Sequence, residues 1–80
     1  MREPITVPDL GTPNMILSVW YVKPGESVYE GDRVVELLLG SATFDITAPC
    51  AGTLVEQCSG PAERLLAGQI IGYLKSEPEA

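Results

Sequence analysis

The run from Pro24 to Leu37, "PGESVYEGDRVVEL", decides the fold once it is set beside Pro61 to Leu74, "PAERLLAGQIIGYL". The two align without a gap at an offset of 37 residues. Pro24 falls on Pro61, Glu26 on Glu63, Val28 on Leu65 and Gly31 on Gly68. Val34 then falls on Ile71, Leu37 on Leu74 and, upstream, Leu17 on Leu54. Each half thus carries an apolar strand, a Pro-containing turn, a hydrophobic anchor, a glycine turn and another strand. One such half leaves an apolar face bare, and two cover each other. The repeat predicts halves related by a pseudo-dyad. The turn at Gly40–Ser41 would lie at one end of the sandwich and the termini would meet at the other.

The rest of the chain agrees. Apolar residues are not sustained at i, i+3, i+4 and i+7, and Gly and Pro recur every few residues, so helix signals are poor. Short runs rich in Val, Ile, Leu and aromatics read as strands: "ITVPDL", "ILSVWYV", "SVY", "RVVELLL", "TFDITA", "GTLVEQC", "RLL" and "QIIGYL". The turn clusters "GTPN", "KPGE", "EGD", "GSA", "PCAG", "SGPAE" and "AGQ" separate them. Many short strands at close spacing mean an all-β sandwich or barrel. The tail "KSEPEA" reads as a frayed end or linker.

Composition bounds the function. The chain has 80 residues, which is one domain at most, and 45% of them are hydrophobic, enough for a compact core. Five Lys and Arg stand against 11 Asp and Glu, for a net charge of −6. That balance argues against phosphate-backbone binding, which needs clustered cations, and disfavours an anionic membrane surface. No apolar run approaches the ~20 residues of a spanning helix. The N-terminus "MREPITVPDL" lacks the apolar core of a signal peptide, so a cytoplasmic location is expected. There is no histidine, which rules out a Cys–His nucleophile and a Cys/His zinc site. Cys50 and Cys58 read as reduced, buried thiols acting as small hydrophobes. Asp9, Asp32 and Asp45 show no paired spacing, and Asp32, following Gly31, reads as a turn residue rather than a metal ligand.

The order of these motifs resembles the lipoyl and biotinyl carrier domains, over nearly the whole chain from Ile5 to Leu74. "VPDLG" is similar to the opening strand of lipoyl domains in 2-oxo acid dehydrogenase acyltransferases. "VWYVKPGESVYEGDRVVEL" resembles the family's first half, with its Lys-x-Gly-acidic-x-Val turn and its Gly-Asp pair. "ATFDITAPCAGTL" resembles the strand after the modified lysine, with the Ala-Pro-x-x-Gly element at Ala48, Pro49 and Gly52. The resemblance implies a barrel-sandwich hybrid of two four-stranded sheets spanning residues 1–75, with 76–80 as a flexible tail. It also implies a carrier of lipoate or biotin, serving partners in a multienzyme assembly and without a catalytic site of its own.

The departure sits where the chemistry should be. The family places Asp-Lys-Ala or Met-Lys-Met at the exposed turn. Aligned on Ala42, Asp45, Ile46 and Pro49, this chain has Gly40, Ser41 and Ala42 there, preceded by Leu38 and Leu39. The attachment lysine is thereby Ser41. A ligase joins the cofactor carboxylate to an amine on a long flexible stem. A serine hydroxyl is shorter and a weak nucleophile without an activating base. The only lysines are Lys23, in the "KPGE" turn, and Lys75, in the tail. The expectation is therefore a lipoyl-like domain without its cofactor, acting as a structural or protein-binding module of a multienzyme assembly. The alternative is a carrier of a 2-oxo acid dehydrogenase acyltransferase or biotin enzyme with an altered attachment turn. No nucleophile–base pair, phosphate loop or metal cluster can be assembled, which disfavours a free-standing enzyme.

Two further features bear on the turn. Alternate residues of a strand face opposite sides, so Leu37, Leu38 and Leu39 cannot all enter one core. The odd one is either an apolar contact beside the turn or packed under the "LGTPN" loop. Trp20 and Tyr21, being adjacent, are expected to place one ring in the core and the other at the surface.

Overall fold

The computed structural model describes residues 1–76. Their regular elements are all strands: β1 (Arg2–Thr6), β2 (Met15–Trp20), β3 (Ser27–Val28), β4 (Arg33–Leu39), β5 (Ala42–Thr47), β6 (Gly52–Gln57), β7 (Arg64–Leu65) and β8 (Ile70–Ser76). They form two four-stranded antiparallel sheets, in the orders β1-β8-β6-β3 and β5-β4-β2-β7. All eight expected strands are present, and "RVVELLL" is β4 residue for residue.

Shifting the chain by 37 residues maps β2, β3 and β4 onto β6, β7 and β8, and turns one sheet order into the other. The correspondence reaches individual hydrogen bonds. The Gly25 N–H donates to the Leu54 carbonyl, and the Ala62 N–H to that of Leu17. The Tyr29 N–H is capped by Asp32 Oδ2 at 2.8 Å, and the Leu66 N–H by Gln69 Oε1 at 2.9 Å. Even the register breaks recur, between Leu17 and Val19 in one half and between Leu54 and Glu56 in the other. The halves are thus the pseudo-dyad pair that the repeat anticipates.

The core lies between the sheets. Leu17, Val34, Leu37, Leu54, Leu65, Ile71 and Leu74 are fully buried, joined by Ile5, Val7, Met15, Val28, Val35, Ile46 and Ala48. Every anchor paired by the repeat is among them. Burying an aliphatic side chain of this size stabilises the fold by roughly 1.5–3 kcal/mol. Trp20 packs half-buried on this core, its Nε1–H donating to the Ser59 carbonyl at 2.8 Å. The ring needs Gly72 beneath it, because a β-carbon there would sit 3.0 Å from Trp20 Cη2 and 2.7 Å from the Glu56 carbonyl oxygen.

Three expectations are corrected. The first strand, expected at "ITVPDL", runs over Arg2–Thr6. Its register breaks between Ile5 and Thr6, and Pro8, having no N–H, cannot continue the ladder. Lys75 and Ser76 belong to β8 and not to a tail: the Ser76 N–H donates to the Met1 carbonyl at 3.0 Å. The remainder of that expected tail, 77–80, lies outside the described residues. The cysteines are free but not buried. Cys50 is half-buried against the core, and Cys58 is exposed. Past its register break β6 loses strict alternation, so Val55, Glu56, Gln57 and Cys58 all reach solvent.

Candidate functional site: the tip of the β4–β5 hairpin

β4 and β5 pair from Leu39↔Ala42 inward, leaving Gly40 and Ser41 as a two-residue turn. Gly40 has φ +73°, whereas Ser41 is not left-handed. A positive φ at the first central position only is the signature of a type II′ turn, where glycine costs nothing. The right-handed twist of the flanking strands selects this turn and holds Ser41 at the very end of the sandwich. Ser41 is exposed. Its hydroxyl has no hydrogen-bond partner among the described residues, and no base adjoins it.

The flanking residues divide by alternation. Leu37 is fully buried, and Leu39 is half-buried against the core, as is Leu10 of the β1–β2 loop. Leu38 points outward at 37% exposure, in register with Ile16 on one side and Thr43 on the other. Leu38 is therefore the odd leucine, and it forms an apolar spot beside the tip. Ala42 is exposed at the first position of β5. Phe44, absent from the expected site, stands two residues further along at 38% exposure. Nothing in its own neighbourhood of sequence marks it. Its place on the outermost strand of the sheet does.

Further from the tip, the outer face of the same sheet carries a polar cluster. The Tyr21 hydroxyl bridges Glu36 Oε2 at 3.0 Å and Asp45 Oδ1 at 3.1 Å. Arg33 stacks over the Tyr21 ring and pairs with Asp45 Oδ2 at 3.5 Å. Glu36 and Asp45 are directly opposed across β4 and β5, so the phenol and the guanidinium offset a like-charge pair. Partial burial and the two carboxylate hydrogen bonds push the Tyr21 hydroxyl up to about 12. Trp20 turns to the core and Tyr21 to the surface, as their adjacency requires. Asp32 is the turn residue expected of it. At the opposite outer face Arg2 pairs with Glu56 and stacks on Tyr73, and the guanidinium hydrogen bond holds the Glu56 carboxyl below its ordinary range. Burial first, and then neighbouring carboxylates, push both thiols up, so neither is a poised nucleophile.

The lysines lie away from the tip. Lys23 precedes β3 in the turn at the far end of β2, and Lys75 is in β8, in register with Arg2 and Thr53. Among the described residues no three His, Cys, Asp or Glu side chains stand together as a metal site, and no helix is long and apolar enough to cross a membrane.

Two dyad-related four-stranded sheets with a tight hairpin at one end have a counterpart among known proteins. Residues 3–74 match the Biotin_lipoyl family, described as "Biotin-requiring enzyme". The chain belongs to this family. Lipoyl domains of this family are carrier modules without a catalytic site of their own. The chain is also similar to two dihydrolipoyllysine-residue succinyltransferase components of 2-oxoglutarate dehydrogenase complexes. One, from Rickettsia conorii, is 29% identical over 82 aligned positions, covering all of this chain. The other, from Buchnera aphidicola, is 30% identical over 75 positions, covering 91% of it. The chain spans about a fifth of each relative's length (21% and 19%). The solution structure of the lipoyl domain of the Azotobacter vinelandii 2-oxoglutarate dehydrogenase complex superimposes with a TM-score of 0.77. It covers 94% of this chain and 98% of that one at 21% identity, which establishes the shared fold.

Proposed function

We propose that this biotin/lipoyl-family domain carries neither lipoate nor biotin and acts as a protein-interaction module of a multienzyme assembly of the 2-oxo acid dehydrogenase type. The observation that carries the reading is Ser41, exposed at the second position of the type II′ turn, the position to which the resemblance assigns the family's lysine. The residues present do not fit the family's group. Amide attachment needs an amine at the tip, and the tip offers a hydroxyl with no base to activate it. An amide on Lys23 or Lys75 would start from another part of the fold. Gly40, Leu39 and Leu38 stand in place of the acidic and threonine residues that usually precede the lysine, which leaves the approach to the tip apolar and uncharged. Such a tip suits contact with a protein surface. The acyltransferase components of 2-oxoglutarate dehydrogenase complexes among its relatives support an assembly of that kind.

Intact-mass measurement of the chain purified from its native host tests the reading. The expected mass is that of the unmodified polypeptide, and a lipoyl or biotinyl increment would overturn it. Coexpression with a lipoyl ligase tests the cause. The wild type should gain no lipoyl mass, Ser41→Lys should gain it in part, and the Gly40→Asp, Ser41→Lys double variant should gain more. If the double variant stays unmodified, the tip is not the family's attachment position.

A further inference from the structure

Each sheet ends in two edge strands, and an edge presents unpaired N–H and C=O groups that invite another strand. Three of the four edges here are blunted. β3 and β7 are two residues long. β1 carries Arg2, Glu3 and Pro4, which are charges and a residue without an N–H, and its Arg2 is held down by Glu56 and Tyr73. The fourth edge, β5, is different. It is six residues long, has no proline, and reads "ATFDIT". Its single charge, Asp45, is drawn back over its own sheet by Arg33 and Tyr21. β1 and β5 occupy dyad-related places, each beside the equivalent strand β8 or β4. At the dyad-related positions Ile5 matches Ile46 and Thr6 matches Thr47, so Glu3 falls on Phe44 and Pro4 on Asp45. The residues that guard one edge are missing from the other, and an exposed phenylalanine stands in their place.

We propose that β5 is the interface of a two-fold dimer of this chain, pairing antiparallel with β5 of a second copy about Phe44. The register follows from the hairpin. A two-residue turn makes Leu39 and Ala42 its first hydrogen-bonded pair, so Leu37 and Phe44 are the next. Phe44 then turns its own backbone groups toward β4, and Thr43 and Asp45 direct theirs outward. Centred on Phe44, Thr43 of each copy lies opposite Asp45 of the other, and both sets of outward groups are used. The alternation needed at the new ladder is met without a shift. The two Phe44 residues form a non-hydrogen-bonded pair with Cα atoms about 4.5 Å apart, the closest cross-strand spacing and a favourable one for aromatic rings. Each Asp45 carboxylate faces a threonine hydroxyl, a donor, rather than its own like. Centring on Asp45 instead would oppose two carboxylates. A second copy therefore satisfies the edge with complementary groups on both sides of the dyad. The two Ser41 tips leave the interface in opposite directions, on the order of 20 Å apart at ~3.4 Å per residue, and both stay open to partners.

Sedimentation equilibrium of the full chain from ~10 μM to ~1 mM tests this, in a range suited to a small interface. The weight-average mass should rise with concentration toward twice the 8.6 kDa chain. Thr43→Pro removes one outward N–H without touching the β4 ladder, and Phe44→Lys places two ammonium groups against each other at the dyad. Each should weaken association by tenfold or more, about 1.4 kcal/mol. Leu66→Lys, at a more exposed apolar residue remote from β5, should dimerise as the wild type does. Far-UV circular dichroism confirms that the variants are folded, and if Thr43→Pro is not, Phe44→Lys alone decides. A wild-type mass of 8.6 kDa throughout the range would overturn the proposal, as would a dimer that both β5 variants leave intact.

Discussion

Leu37 and Leu74 are the most direct probe of the two-fold core. They are the same residue at dyad-related places on β4 and β8, and both are 0% exposed. Truncation of either to alanine removes an isopropyl group from a site with no solvent contact. The transfer term alone is ~2.5 kcal/mol at ~0.8 kcal/mol per buried carbon. The cavity left behind raises the cost, and buried leucine truncations span about 2.7–5 kcal/mol. A domain of 80 residues has roughly 4–12 kcal/mol in total, so each variant should lose a large part of its stability and melt some 12–24 °C lower. Urea unfolding near 10 °C, followed by the fluorescence of the single tryptophan, Trp20, should show both midpoints falling by comparable amounts. If one variant loses less than ~1 kcal/mol while the other loses more than ~3, the halves do not pack as equivalents and the dyad argument fails.

Four further outcomes follow from other parts of the fold. Ala62 has a left-handed backbone, φ +71°, at the place Gly25 holds in the other half and is the one such non-glycine among the described residues, so Ala62→Gly should stabilise by about 0.5–1 kcal/mol; a loss of stability in urea would contradict the strain. Gly52→Ala would put a β-carbon onto the Lys75 carbonyl and should cost more than ~3 kcal/mol, so a folded variant with an unchanged midpoint would refute the close approach of β6 and β8. Leu38→Glu should leave stability within ~0.5 kcal/mol of wild type yet weaken complexes made through the tip, and recovery of the same partners at the same yield would count against a contact there. Tyr21 ionises near 12 in the folded chain against 10 ordinarily, so the unfolded chain releases this proton first and stability falls between those two pH values; the 295 nm absorbance step lost in Tyr21→Phe should be the late one, and a lost step at pH 10 would sink the assignment.

The strands were legible because each is a short apolar run closed by Gly or Pro, and their order because the 37-residue repeat is gapless. A second repeat also stands in the chain and would have completed the picture. "ITVPDLG" at 5–11 and "ITAPCAG" at 46–52 match at Ile, Thr, Pro and Gly, at an offset of 41. It pairs β1 with β5, the strands that the longer repeat leaves out. The turn residues Gly40 and Ser41 were readable from local chemistry alone, as was the need for one of Leu37, Leu38 and Leu39 to leave the core, but not which one or whether it is covered. The exposure of Cys58 was not, because it depends on a register break in β6 that no residue type announces. Phe44 and the Tyr21–Arg33–Asp45 cluster were hidden for a related reason. They come together across strands, and cross-strand neighbours are fixed by register rather than by sequence spacing.

The hydrogen bond between the Ser76 N–H and the Met1 carbonyl places the two ends of the described chain side by side, at the position dyad-related to the β4–β5 hairpin. In its hydrogen bonds the molecule is close to a ring with one cut in it. The cut determines which pairing is slowest to form. As the chain is connected, β1 and β8 meet across nearly its whole length, the largest loop closure in the fold, whereas β4 and β5 meet across a two-residue turn. A circular permutant that joins Ser76 to Met1 through a short linker and opens between Gly40 and Ser41 would exchange these roles. The same two sheets would form, with the β8–β1 pairing now local and β5, then the first strand, left to close last.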